Sequence, residues 1–130
     1  MYKPAITGTG VFTPENSISN AELVRAFNAY ADKFNVENAT QIDAGEVEAI
    51  PHSSEEFIFK ASGINNRYVI DKEGILNPDR MYPQMRQRSD DEPSLMAEMA
   101  LDAAQKALKA AGKTAADVDA VICAASNLER

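Results

Sequence analysis

The chain has 130 residues, 45% hydrophobic and 25% charged, with a formal net charge of -7. That length allows one domain with its own core, and the acidic balance argues against a nucleic-acid partner or an anionic membrane surface. A single cysteine and a single histidine exclude an internal disulfide and Cys- or His-cluster metal sites, and with no signal-peptide core or membrane-length apolar run the expected compartment is cytoplasmic.

Residues 5–12 read as a strand weakened by Gly8 and Gly10. Glycines in such a place mark the close approach of another backbone or a large side chain. Gly8-Thr9-Gly10 lacks the third glycine and the immediate helix that a dinucleotide fingerprint needs, because Thr13-Pro14-Glu15-Asn16 reads as a turn. Ser19 then opens a helix: Ser19 and Glu22 have capping-box spacing, and Ile18 and Leu23 sit where a hydrophobic staple would. Leu23, Phe27, Tyr30, Ala31 and Phe34 recur at helical spacing and are expected to face the core.

Residues 35–50 lose the pattern at Asn35, Asn38 and Gly45 and become acidic, which predicts a surface excursion with room for one short helix. Ser53 and Glu56 give a second capping box, opening a short helix that Gly63 ends. His52, just before it, reads as a surface residue. Residues 64–70 read as a turn and a short extended piece carrying Arg67 and Tyr68. Residues 71–89, with Gly74, Pro78 and Pro83, form a long connection of the kind that tends to be functional or mobile.

Asp90, Asp91, Glu92 and Pro93 suit a helix N-terminus. Met96, Ala100, Ala103, Ala104, Ala107, Leu108 and Ala111 mark one face of that helix, and Gly112 its left-handed stop. The inner face is mostly alanine, so whatever packs there approaches closely. A partner helix docking on this face, in a stand-alone binding or scaffolding module, is one functional reading. Residues 118–125 are apolar almost without alternation, as in a strand covered on both faces, with Cys123 a small buried hydrophobe in its middle.

Two strands separated by helices predict an α/β fold with parallel pairing and a right-handed crossover. Its functional rim would be Phe12, Thr13 and Pro14 together with residues 126–130. A doubly covered final strand with little chain after it predicts that the sequence is the front portion of a larger domain.

Three blocks carry a family resemblance. They are residues 6–14 with Ser19-Asn20-Ala21-Glu22-Leu23, residues 54–67, and residues 102–108 with Ala111-Gly112 and residues 118–122. In this order they resemble the β-ketoacyl-acyl-carrier-protein synthase III enzymes. The resemblance implies the N-terminal part of a thiolase-like α/β fold over residues 1–130, with 35–54 and 71–89 as surface excursions and a homodimer in the complete protein. It implies a decarboxylative Claisen condensation of an acyl-coenzyme A primer with malonyl-carrier protein in fatty acid biosynthesis. Acyl-coenzyme A is then a substrate, with no covalently bound cofactor, and the acyl carrier protein a partner.

The resemblance places the catalytic cysteine, histidine and asparagine beyond Arg130, so the segment by itself is expected to be inactive. A thiolate at a helix N-terminus would attack the acyl thioester, and histidine and asparagine donors would stabilise the enolate. Within this chain, Phe57 matches the tryptophan that stacks on the adenine of the coenzyme. Ala61 stands where the family has an arginine that contacts the coenzyme, and Lys60 is the neighbouring cation. Arg67 matches a second arginine near the coenzyme and carrier-protein docking region. The long segments 35–54 and 71–89 exceed the compact family form and point to a divergent branch taking a longer acyl primer.

Overall fold

The computed structural model describes residues 3–125. They divide into two compact units, Pro14–Met85 and a second built from the residues up to Thr13 together with those from Arg86 onward.

In the first unit, β1 (Asn16–Ser19) pairs antiparallel with β2 (Asn66–Val69), Ile18 lying opposite Arg67. Ile18 is completely buried. This is the one sheet found among the described residues, and it replaces the parallel pairing expected from the sequence. Residues 5–12 and 118–125, expected to be strands, join no ladder. An extended segment becomes a strand only through a neighbour's backbone groups, and no described segment supplies them. Val121 and Ile122 are accordingly 83% and 95% exposed, and Cys123, expected to be buried, is exposed as well. Residues 126–130, half of the anticipated rim, lie outside the described residues.

Helix α1 (Asn20–Glu37) begins as its sequence dictates. The Ser19 hydroxyl accepts from the Glu22 amide at 3.2 Å, and the Glu22 carboxylate accepts from the Ser19 amide at 2.9 Å. Such a cap is worth about 1 kcal/mol. Ala26 and Ala31 are the residues of this helix that are buried along its apolar side, whereas Leu23, Phe27, Tyr30 and Phe34 are half-buried rather than core. The rings of Phe27, Tyr30 and Phe34 stagger along the helix at 6.4 and 6.2 Å. The helix also runs two residues past Asn35, and α2 (Ala39–Asp43) follows almost at once.

What holds the segment after α2 is a pair of asparagines on α1. Asn35 donates its side-chain amide to the Ile50 carbonyl at 2.9 Å and accepts from the Ile50 amide at 2.8 Å. Asn28 does the same to Ser53, at 3.2 and 2.9 Å. A primary amide presents one donor and one acceptor side by side, so each asparagine imitates a strand neighbour for one residue. Engaged in this way, Ser53 is not the cap. Helix α3 (Glu55–Ser62) is capped by Ser54 and ends at Gly63, whose φ of 71° is left-handed.

The expected long connection after β2 contains α4 (Lys72–Leu76), capped by Asp71. One Asp71 carboxylate oxygen accepts from the Gly74 amide at 2.9 Å; the other accepts from Gln84 N at 2.7 Å and Arg80 Nη2 at 3.2 Å. Gly74 is buried beneath this staple. A β-carbon there would lie 2.8 Å from the Tyr82 carbonyl oxygen and nearer still to Arg80 and Asp71.

In the second unit, α5 (Leu95–Ala111) is capped by Ser94 and stops at Gly112, with φ 64°. A 3-10 turn (Ala115–Asp117) follows. Residues 8–10 lie directly on the helix backbone. A β-carbon on Gly8 would meet Ala111 N at 2.8 Å, and one on Gly10 would meet Ala107 N at 2.6 Å. The glycines therefore do mark a close approach, and the alanine face is what permits it. The chain's own residues 8–10 occupy this face at Ala103, Ala107 and Ala111, while Ala100 and Ala104 on the same face are exposed. Arg86 grips Glu92 through its two terminal guanidinium nitrogens at 2.7 and 3.0 Å, and Arg88 reaches Glu98 at 2.7 Å.

Candidate functional site

The first unit contains a cleft of about 570 Å³ built almost entirely from apolar side chains. One wall is the first half of α1, through Leu23, Val24 and Phe27; opposite it α3 supplies Phe57 and Ile58. Residues 51–54 close one side, and Met81 another. The asparagine clamp on Ser53 fixes one of these walls and the Asp71–Arg80–Gln84 staple fixes the approach to another.

The candidate residues take different positions. Phe57 lines the cleft and is 66% exposed, so a ring face is open to a ligand. It follows the α3 cap closely, its own amide donating to Ser54 Oγ at 3.1 Å. Lys60 stands one turn further along α3, outside the cleft lining, and pairs with Glu56 at 2.7 Å in a solvent-exposed bridge. Such an exposed pair is worth little in itself, which leaves the ammonium available to exchange partners. Ala61 is exposed.

Arg67 is not part of the cleft lining. From β2 its Nη2 donates to Asn20 Oδ1 at 2.6 Å, while Asn20 passes its own side-chain amide to the Ile64 carbonyl at 2.9 Å. Asn20 is 4% exposed, so this is an interior tie between α1 and the β2 approach. Arg67 Nη1 is buried without a hydrogen-bond partner among the described residues. Both facts differ from a simple surface charge.

His52 lines the cleft and its Nε2 lies 2.7 Å from Asp32 Oδ1, with both side chains more than half exposed. At the start of α1, Glu22 is held to about pKa 2, first by the Lys72 ammonium at 2.6 Å and then by the Ser19 amide and hydroxyl. This pair ties α4 to the N-terminus of α1. Among the described residues, no group of three or more His, Cys, Asp or Glu side chains stands close enough to hold a metal ion. Nor is any helix among them long and apolar enough to cross a membrane.

Sequence reading singled out Phe57 through the family resemblance but not the cleft, whose walls come from three separated stretches, residues 23–27, residues 51–58 and Met81. Met81 carried no signal at all: it is an ordinary apolar residue inside a connection.

No protein-family profile matches the chain. A curated protein of Pseudomonas aeruginosa named beta-ketodecanoyl-[acyl-carrier-protein] synthase is 50% identical to it over 107 residues. The match takes in 82% of this chain and 31% of that protein, so the chain spans about a third of the length of the curated relative. Identity of that level across most of the chain bears out the motif blocks as a group. Over most of its length, the chain resembles the β-ketoacyl-acyl-carrier-protein synthases.

Proposed function

We propose that this chain is the N-terminal segment of a condensing enzyme similar to 3-oxoacyl-acyl-carrier-protein synthase III. The reaction is the decarboxylative Claisen condensation of an acyl-coenzyme A primer with malonyl-carrier protein in fatty acid biosynthesis. The observation that carries this reading is the 50% identity with the Pseudomonas synthase over 82% of the chain. The decanoyl group in that relative's name fits the longer primer that segments 35–54 and 71–89 pointed to.

In this reading the cysteine, histidine and asparagine that perform the chemistry follow Arg130, and the present segment contributes the coenzyme side of the site. Phe57 offers an exposed ring face to the adenine, and base–aromatic stacking is favourable for any purine. Lys60, freed from Glu56, is a cation for a coenzyme phosphate. Arg67 acts at one remove: its bond to Asn20 holds the approach to β2. The complete protein is a homodimer that meets the acyl carrier protein.

Intact-mass measurement on protein expressed from the native gene, before and after incubation with octanoyl-coenzyme A, tests this reading. The expected result is a species well above 14.1 kDa that gains one acyl group through a thioester. A species of 14.1 kDa that gains nothing would overturn it.

A further inference from the structure

One residue of the cleft is held in a conformation its side chain does not favour. Met81 has φ 57°, and no other described non-glycine residue has a positive φ. The left-handed region crowds the β-carbon of an L-residue and is rare outside Gly, Asn and Asp. Such a residue persists only where its surroundings over-determine it, and these places cluster at ligand sites.

The surroundings here are specific. The Met81 amide donates to the Asn77 carbonyl at 2.8 Å, and the Arg80 amide donates to the same oxygen at 3.0 Å. The Asn77 side chain accepts from the Asp79 amide at 2.9 Å, closing the turn from the other side. Arg80 is fixed by Asp71 and by the Tyr82 carbonyl, at 3.2 Å each, and its guanidinium lies 5.7 Å from the centre of the Tyr82 ring. Residues on both sides of Met81 are thus tied down, and Met81 lines the cleft that Phe57 also lines.

Resting on the coenzyme reading of that cleft, we propose that Met81 is a ligand-positioning residue, forming the wall that holds the adenine ring against Phe57. A flexible, polarisable thioether makes favourable contact with an aromatic heterocycle and adapts to its edge. A glycine in this turn would remove the strain and also the wall. A methionine at this left-handed position is therefore accounted for by the cleft it lines.

The test is titration of the chain with coenzyme A, followed calorimetrically and through 13C-methyl methionine resonances. The variants are Met81→Gly, Met81→Leu and Phe57→Ala. The Met81 methyl signal, assigned by its loss in Met81→Leu, is expected to shift on adding coenzyme through the ring current of the adenine. Met81→Gly is expected to weaken binding about two- to tenfold, the range of a sulfur–aromatic contact, with its melting midpoint retained because glycine adopts this φ freely. Loss of binding in Phe57→Ala with unchanged binding in Met81→Gly would overturn the proposal and leave the coenzyme cleft standing. Unchanged binding in Phe57→Ala, or no coenzyme binding by the parent chain, would overturn the cleft reading and this proposal together.

Discussion

A β-carbon placed on Gly10 would lie 2.6 Å from the amide nitrogen of Ala107. The N-terminal segment and α5 therefore approach to backbone contact, with Gly8 and Gly10 on one side and Ala103, Ala107 and Ala111 on the other. The atoms a new methyl would meet are backbone atoms and the β-carbons of Lys106 and Ala111, none of which can swing aside. Gly10→Ala is expected to lower stability by about 1–3 kcal/mol, the usual cost of overpacking, as read in urea denaturation. Thr9→Ala, at the exposed residue between the two glycines, should leave the midpoint nearly unchanged.

Gly74 sets a second steric condition, this time beside the cleft. Gly74→Ala forces the new methyl against Arg80, Asp71 and the Tyr82 carbonyl. The expected outcome is loss of the Asp71–Arg80–Gln84 staple, seen as faster amide exchange at Gln84, and weaker coenzyme A binding because the turn bearing Met81 loosens. Unaltered exchange at Gln84 would contradict this account of the loop.

The asparagine clamps give a prediction about hydrogen bonding. Asn35→Ala removes both bonds to Ile50 and leaves its half-buried backbone groups unpaired. A loss of about 1–3 kcal/mol is expected, the penalty for a stranded polar group. Asn28→Ala strands Ser53 in the same way, and because Ser53 lines the cleft it should weaken coenzyme binding as well. Asn35→Ala should not affect binding.

Two carboxylates predict the acid side of the stability profile. Glu22 is lowered from 4.5 to about 2 by Lys72 and Ser19, and Glu92 from 4.5 to about 2 by Arg86 and Ser89. A group with a depressed folded pKa binds more protons when unfolded, so acidification favours unfolding. The contribution is fully present above about pH 4.5 and is lost as pH falls towards about 2. The melting midpoint should drop across that window, and Glu22→Gln should flatten the drop while lowering the midpoint at neutral pH. A profile unchanged by Glu22→Gln would contradict the Lys72 and Ser19 bonds.

Local signals were legible in the sequence wherever the physics is local. The Ser19–Glu22 box, the left-handed stops at Gly63 and Gly112, and the amphipathic course of α5 depend on residues within a few positions of one another. The close-packing role of Gly8 and Gly10 was legible too, because glycine in an extended run has few other uses. Pairing was not legible. Asn16-Ser17-Ile18-Ser19 has little β-propensity, and becomes a strand because residues 66–69 lie beside it. Residues 118–125 have strand composition, yet without a neighbour's backbone they stay unpaired. Asn35 read as an interruption of the helical pattern and Asn28 carried no signal, because their partners, Ile50 and Ser53, lie well away in sequence. Phe57 was found through resemblance alone, and the left-handed turn at Met81 leaves no mark in its own residue type.

The proposed place of this chain in the substrate-binding part of an enzyme that joins an acyl primer to a malonyl unit is open to measurement on the whole protein. Octanoyl-coenzyme A and malonyl-carrier protein are supplied to the protein expressed from the native gene, and the carrier protein is weighed by mass spectrometry. The expected product is a β-ketodecanoyl group on the carrier, formed with release of carbon dioxide and free coenzyme A. A carrier that keeps its malonyl group, with coenzyme A still acylated, would contradict it.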